Sequence, residues 1–376
     1  MEKLVFVCAT FLISFALGWV SIPRIVVISK LKRLFDVPDA RKVHTQAIPR
    51  LGGISFFPAM MIATTMMLGF RYSFNFMLPP DTEVQFMSEF MFFMAGMFVL
   101  FFIGVADDLV GVGYRYKFLA QIFAASMLIG TNLSFLNMGG LLGMWEVPFA
   151  VAAVLEVLLI VFAVNAFNLI DGVDGLCSGM SSIIMACLGF WFIYSNMYIY
   201  AMISFGMLGV VLSFFRYNIS GKRLKIFMGD TGSLTLGFLI IFITLKFVNL
   251  AQNGSTPSDI YQIKSPIAIM VGLLFVPLFD TLRVFISRIA RGKMPFSPDK
   301  THIHHKLLAM GYSHLHSTLL LMLMQIIFIV LNITLSEVLS INLNLVILID
   351  IILAVSYLFY VNKELEIKQR KTAKNN

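Results

Sequence analysis

The chain has 376 residues, 59% of them hydrophobic and only 13% charged, with a mean hydropathy of +0.88 and a formal net charge of +8. Those values exclude a water-soluble globular domain, in which about a quarter of residues carry charge. They describe an integral membrane protein, so the basic excess requires no nucleic acid: a positive-inside bias and an anionic ligand on the inner face account for it.

A helix needs about 20 apolar residues to cross the hydrocarbon. Such stretches fall at 3–28, 51–70, 87–106, 117–133, 148–168, 176–195, 198–215, 232–249, 265–287, 315–336 and 340–361. The sequence therefore predicts an all-α, polytopic membrane helix bundle of about 11 transmembrane helices. The run from Leu4 to Val20 is longer than a secretory h-region, has no small-x-small cleavage site and continues to Ile28, which makes it a retained first helix. Cys8, Cys177 and Cys187 stand singly in apolar runs and imply neither disulfides nor a zinc site.

With the loop at 29–50 inside, Arg24, the loops at 29–50, 107–117, 216–230 and 283–314 and the tail carry 24 of the 28 Lys and Arg. The N-terminus is then outside and the C-terminus cytoplasmic. Residues 1–362 read as a single transmembrane domain, and 363–376 as a charged cytoplasmic tail, helical at first and then frayed. The outer loops read as connectors: a turn at Pro79-Pro80, a hairpin over 134–147 centred on Gly139-Gly140, and a polar stretch at 250–264.

The chemistry collects in the inner loops. The first carries Arg41, Lys42 and His44, then Arg50 and the pair Gly52-Gly53 opening a helix; basic residues beside unpaired helix N–H groups suit a phosphate. The second has Asp107-Asp108 directly after an apolar run, with Lys117 and Gln121 following. Adjacent carboxylates there are costly to desolvate, so they are candidates for a general base and a metal or phosphate contact, against a plain helix cap. In the third, Asn165, Asn168, Asp171 and Asp174 recur every three residues, and Gly172 and Gly175 break the helix so that backbone lines a cavity. Such oxygen donors suit Mg²⁺, with Mn²⁺ as the alternative. The fourth, Phe227 to Ser233, opens a helix with Asp230 between glycines, a candidate metal ligand. The fifth runs from Asp280 and Arg283 through Arg288 and Arg291 to His302, His304 and His305; with Arg and Lys around the histidines and no cysteine near, it reads as an anion site for a diphosphate.

Asp107-Asp108, Asn165 to Leu176, Phe227 to Ser233 and the His302-Ile303-His304-His305 segment together resemble the polyprenyl-phosphate N-acetylhexosamine-1-phosphate transferase family, in its bacterial WecA/TagO-like branch. The likeness runs from the loop at 36–53 to the one at 295–306; the segment from Asn218 to Lys225 is only loosely similar. It implies a plasma-membrane, multi-pass, Mg²⁺-dependent enzyme with its site on the cytoplasmic face. There undecaprenyl phosphate attacks UDP-GlcNAc, releasing UMP and initiating a cell-surface polysaccharide. It further implies Asp230 as metal ligand assisted by Asn168, and Asp107 or Asp108 acting on the lipid phosphate. Lys117 would contact a phosphate, Phe227 and Asp174 would lie near the uracil, and Arg291, His302, His304 and His305 near the sugar diphosphate. A homodimer is compatible with the resemblance, although no heptad or small-residue repeat marks an interface. Two alternatives stand beside this reading: the same chemistry on another UDP-N-acetylhexosamine, and an ion-coupled transporter using Glu156 and Asp350, which lie within apolar runs.

Overall fold

The computed structural model describes residues 2–36, 48–74, 80–131, 133, 137–220, 224–253, 261–294 and 301–375. Arg41, Lys42 and His44 lie outside the described residues.

Among the described residues the chain is a helical bundle. Its long helices are α1 (Glu2–Leu31), α2 (Phe56–Ser73), α3 (Pro80–Val110), α4 (Tyr114–Ile129), α5 (Phe149–Ile170), α6 (Leu176–Tyr194), α7 (Tyr198–Ser220), α8 (Gly229–Gln252), α9 (Pro266–Ala290), α11 (His314–Ile333) and α12 (Leu343–Asn375); the short α10 (Ile303–Ala309) lies between α9 and α11. Ten of the long helices are long and apolar enough to cross a membrane. The remaining long helix, α4, has 16 residues, about 24 Å at 1.5 Å per residue, short of the length and apolarity of the other ten. Ten candidate crossings thus stand among the described residues where the sequence predicts about 11, the difference being the stretch 117–133, which forms the shorter α4.

The helix α8 is apolar around its whole circumference and is buried along nearly its entire length between α3 and α5, as a helix without a polar face must be. Small residues let its neighbours close in: a side chain at Gly96 or Gly104 would strike Phe238 or the backbone of Thr231, both on α8. The helix α1 packs on α7 and α2, α6 on α7, and α9 on α11. At the far end of α8, Lys246 is neutralised by Glu89 of α3 at 2.8 Å, and Tyr200 of α7 donates to the same carboxylate, so the buried charges are paired.

Three details add to the sequence reading or differ from it. The hairpin is β3 (Asn137–Leu141) with β4 (Met144–Glu146), and it turns at Leu142-Gly143 instead of Gly139-Gly140; the two earlier strands, β1 (Phe35–Asp36) and β2 (Ile48–Pro49), form a separate antiparallel pair. Asp350 is buried in α12 and accepts from Asn332 of α11 at 2.9 Å. The tail continues α12 as helix to Asn375 and is docked on α10: Lys306 donates to Asn362 and Lys368 to the Met310 carbonyl, both at 2.7 Å. The tail expected over 363–376 is thus helical as far as Asn375 and mostly exposed over 363–371, with the ammonium of Lys368 on the open carbonyl end of α10.

Candidate active site

One end of the bundle gathers the ends of α3 and α5, the starts of α4, α6 and α8, and the short α10. The loops at 48–53 and 226–229 meet there as backbone. Phe227 N–H donates to the Pro49 carbonyl at 2.8 Å, while Gly52 and Gly53 N–H donate to Phe227 and Met228 carbonyls at 3.0 and 2.8 Å. A Cβ on Gly53 would come within 2.2 Å of the Gly232 backbone. The glycine pair is thus required for two chain segments to touch, and the expectation that its N–H groups bind an anion is corrected. Arg50, expected on a phosphate, donates to the carbonyls of Asp108 at 2.9 Å and Asp107 at 3.0 Å, closing the end of α3.

Asp107 and Asp108 lie in the last turn of α3, and their carboxylates do different things. Asp108 is buried and caps α8 from outside: Oδ1 accepts from Asp230 N–H at 2.9 Å, and Oδ2 from Thr231 N–H at 3.0 Å and Thr231 Oγ1 at 2.6 Å. A helix N-terminus leaves such N–H groups unpaired and favours a negative charge. Gly229, at φ +75°, makes the approach, since a Cβ there would lie 2.6 Å from Asp108 Oδ2. Asp107 is half-buried; Oδ1 accepts from Val112 N–H at 2.7 Å and Oδ2 faces the Lys117 ammonium at 3.4 Å. That ammonium is also 2.7 Å from Asp230 Oδ2, so Lys117 joins the end of α3 to the start of α8.

Asp107, Asp108 and Asp230 bring ligand atoms within 4.8 Å of one another. The donors are all carboxylate oxygens, which suits a hard cation of the Mg²⁺ kind. Asp171, at the end of α5, adds to this demand. Burial first, then the charges of Asp230, Asp108 and Asp174, push its carboxyl well above the ordinary 3.8, and among the described residues no cation pairs with it. A bound divalent cation would relieve that repulsion. Asn168 donates to Ser233 Oγ on α8 at 2.8 Å, beside the cluster. Asn165 is set further into the bundle, paired with Gln121 of α4 and bonded to the Val161 carbonyl at 2.8 Å.

The chain turns from α5 into α6 through Gly172 and Gly175, the latter at φ +78°. Asp174, in that turn, receives Lys225 at 2.5 Å and His314 at 3.2 Å. Burial pushes its carboxyl up, but the hydrogen bonds and charge of those two partners together hold it below 3.8. Lys225 also lies over the Phe227 ring, 5.8 Å from its centroid, and Asn218 ties Gly175 N–H to the Ile226 carbonyl. His304 is buried against Gly172, 3.1 Å from where a Cβ would stand. Burial, then the charge of His305, lowers its ring to about 3, so it is neutral near pH 7. His302 stacks on it at 5.4 Å and His305 lies on its other side at 4.4 Å. His302 Nδ1 is 2.8 Å from Asp280 Oδ2. Arg291 is exposed just past α9, and its guanidinium folds back on Ser287.

The structure thus unites Asp107, Asp108, Asp171, Asp230, Asn168 and Lys117 in one cluster, with Asp174 and Phe227 in the loops around it and His302, His304 and His305 at the start of α10. His314 was not singled out by sequence reasoning, since a lone His at a helix start carries no signal of its own. Asp280 and Arg283 were noted there without a role.

A family model described as glycosyl transferase family 4 matches residues 90–248. A probable undecaprenyl-phosphate N-acetylglucosaminyl 1-phosphate transferase of Bacillus subtilis is 32% identical over 315 residues, covering 83% of this chain and 80% of the relative. A decaprenyl-phosphate N-acetylglucosaminephosphotransferase of Mycobacterium tuberculosis is 32% identical over 74% of this chain and 69% of its own. The chain belongs to the polyprenyl-phosphate N-acetylhexosamine-1-phosphate transferase family. A third member, the undecaprenyl-phosphate alpha-N-acetylglucosaminyl 1-phosphate transferase of Escherichia coli O157:H7, is 29% identical over 76% of this chain and 72% of its own. These relatives are transferases and none is a carrier, so nothing here supports the ion-coupled transporter.

Proposed function

We propose that this protein transfers N-acetylglucosamine 1-phosphate from UDP-GlcNAc to undecaprenyl phosphate at the cytoplasmic face of the bacterial plasma membrane, releasing UMP. The observation that carries the reading is the bridge Asp107–Lys117–Asp230 beside Asp171, in a chain whose relatives bear the names given above. Both substrates are polyanions that repel each other, so the catalytic task is mostly alignment and neutralisation of charge.

Asp230 and Asp107, with Asn168 in support, are the residues we assign to hold Mg²⁺. When bound, the ion neutralises diphosphate oxygens and polarises phosphorus. Lys117 adds a fixed cation within reach of the same phosphates. Asp107 is the better of the two adjacent carboxylates for orienting the lipid phosphate, because both oxygens of Asp108 are engaged by α8. The phenyl ring of Phe227 offers a face for uracil, with Lys225 and Asp174 at its side. His302, His304, His305 and Arg291 belong to the sugar-diphosphate end. An oxygen of the lipid phosphate bonds to the sugar-linked phosphorus, the bond from that phosphorus to the bridging oxygen breaks, and the electrons leave with UMP. The lipid tail lies along the apolar helix faces while its phosphate stays at headgroup level.

Purified protein in detergent tests the proposal. UMP release is expected only when UDP-GlcNAc, undecaprenyl phosphate and Mg²⁺ are all present, and competing UDP-sugars should be poorer donors. Release without the lipid acceptor, or a preference for another UDP-N-acetylhexosamine, would contradict it.

A further inference from the structure

Beyond the carboxylate cluster, α9 supplies one more buried acid. Asp280 is 3% exposed and its two oxygens face three donors. Oδ2 is 2.8 Å from His302 Nδ1, while Oδ1 accepts from Ile303 N–H at 3.1 Å and from Arg283 Nη2 at 2.6 Å. The same Arg283 nitrogen donates to the Thr301 carbonyl at 2.8 Å. One carboxylate and one guanidinium therefore grip three consecutive residues, 301–303, where α10 begins. The N-cap residue itself, His302, makes no side-chain cap bond to that helix.

The grip leaves an unfinished set of polar atoms. Among the described residues His302 Nε2 and both ring nitrogens of His304 are buried without a hydrogen-bond partner, an arrangement folded proteins avoid unless a ligand or water completes it. The two rings are stacked at 9°, and His304 lies against Gly172, next to Asp171. We propose that Asp280 is a positioning residue for phosphosugar transfer: it holds His302 by Nδ1 so that Nε2 is presented to the diphosphate of the sugar nucleotide. This rests on the function proposed above.

The chemistry requires a carboxylate at that place. With an acceptor on Nδ1 the ring keeps its proton there. When the ring donates from Nε2 to a phosphate oxygen both nitrogens carry protons, and the Asp280 carboxylate is the partner of the Nδ1 proton. Arg283, His305 and Asp280 act on the stacked His304 ring, and Arg283 and Asp280 act on Lys306. Carboxylates behind metal-ligating histidines are worth about 10- to 100-fold in affinity or activity, and the same scale is taken for Asp280.

The test is a double-mutant cycle on the full-length protein, reading UMP release. Asp280→Asn should lower kcat about 10- to 100-fold with a smaller change in KM for UDP-GlcNAc. His302→Gln should lower kcat at least as much, and the double variant should be no worse than His302→Gln alone. Losses that multiply in the double variant, or wild-type kcat in Asp280→Asn, would overturn the proposal. If Asp280→Asn melts early in detergent, Asp280→Glu takes its place in the cycle. It should retain more activity than the Asn variant when His302 is present and make no difference when it is not. Failure of both variants to fold would make Asp280 a structural residue and overturn the claim. A wild-type protein that releases no UMP from any UDP-sugar would instead refute the proposed function. The claim about Asp280 would then be read from ¹⁵N-histidine spectra, in which Asp280→Asn must move the His302 ring signals.

Discussion

Replacing Asp108 by Asn separates a structural carboxylate from a chemical one. Asp108 receives three hydrogen bonds from the first turn of α8, two of them from backbone N–H groups. An Asn side chain offers a single acceptor oxygen, so in either orientation its NH₂ group faces one of those N–H groups, and the favourable charge at the helix N-terminus is gone. Hydrogen bonds to a charged group contribute about 1.5 kcal/mol or more each, and losing one or two of them with the charge costs about 2 to 3 kcal/mol. Because α8 is the most enclosed helix and carries Asp230, the start of that helix should loosen and take the bridge to Lys117 with it. Thermal unfolding in detergent, monitored beside UMP release, is the assay. The expected result is a melting midpoint lowered by several degrees together with a large loss of turnover. An Asp108→Asn protein that melts like wild type yet is inactive would refute the capping argument and return Asp108 to the chemistry.

Asp230→Asn makes the complementary case: it removes a metal charge without changing volume, so turnover should be abolished while the melting midpoint stays near wild type, and measurable wild-type turnover would rule out Asp230 as an essential ligand. The buried neutral ring of His304 makes the fold acid-sensitive. Its folded-state value near 3 lies below the ordinary 6.5, so the unfolded chain binds a proton that the folded one refuses, and stability is lost as pH falls from about 6.5 toward 3. At pH 5 that amounts to about 2 kcal/mol; His304→Gln should therefore show a smaller drop in melting midpoint between pH 7 and pH 5 than wild type. Deleting 363–376 removes the Lys368 contact with the Met310 carbonyl and should reduce turnover by about two- to fivefold, as fits an exposed contact, with membrane insertion intact by fractionation.

The polytopic architecture was legible because lipid enforces it: every apolar run must cross or pack, and polar residues are pushed to the ends where the motifs then stand out. Asp230 at the opening of α8 and the break after α5 could be read directly, since glycines beside acids have few other uses in such a chain. What could not be read is which partner each polar group finds across the bundle. Arg50 and the Gly52-Gly53 pair look like a phosphate site in one dimension, but in three they close α3 and admit the backbone of α8. Adjacent Asp107 and Asp108 look equivalent until α8 claims both oxygens of one of them. His314 and Asp280 acquire meaning only from Asp174 and His302, which lie 140 and 22 residues away along the chain. The charges of the tail mark it as solvated, as its exposure over 363–371 shows, but give no hint that Lys368 meets the Met310 carbonyl.

The measurement that tests the central claim most directly follows the phosphate next to the sugar. UDP-GlcNAc labelled in its β-phosphate is incubated with the purified protein, undecaprenyl phosphate and Mg²⁺, and the products are separated into lipid and aqueous fractions. The account predicts label in the lipid, as a diphosphate-linked sugar, with unlabelled UMP in the water. Label remaining in the water as UDP, with the sugar alone on the lipid, would show a glycosyl transfer and contradict it.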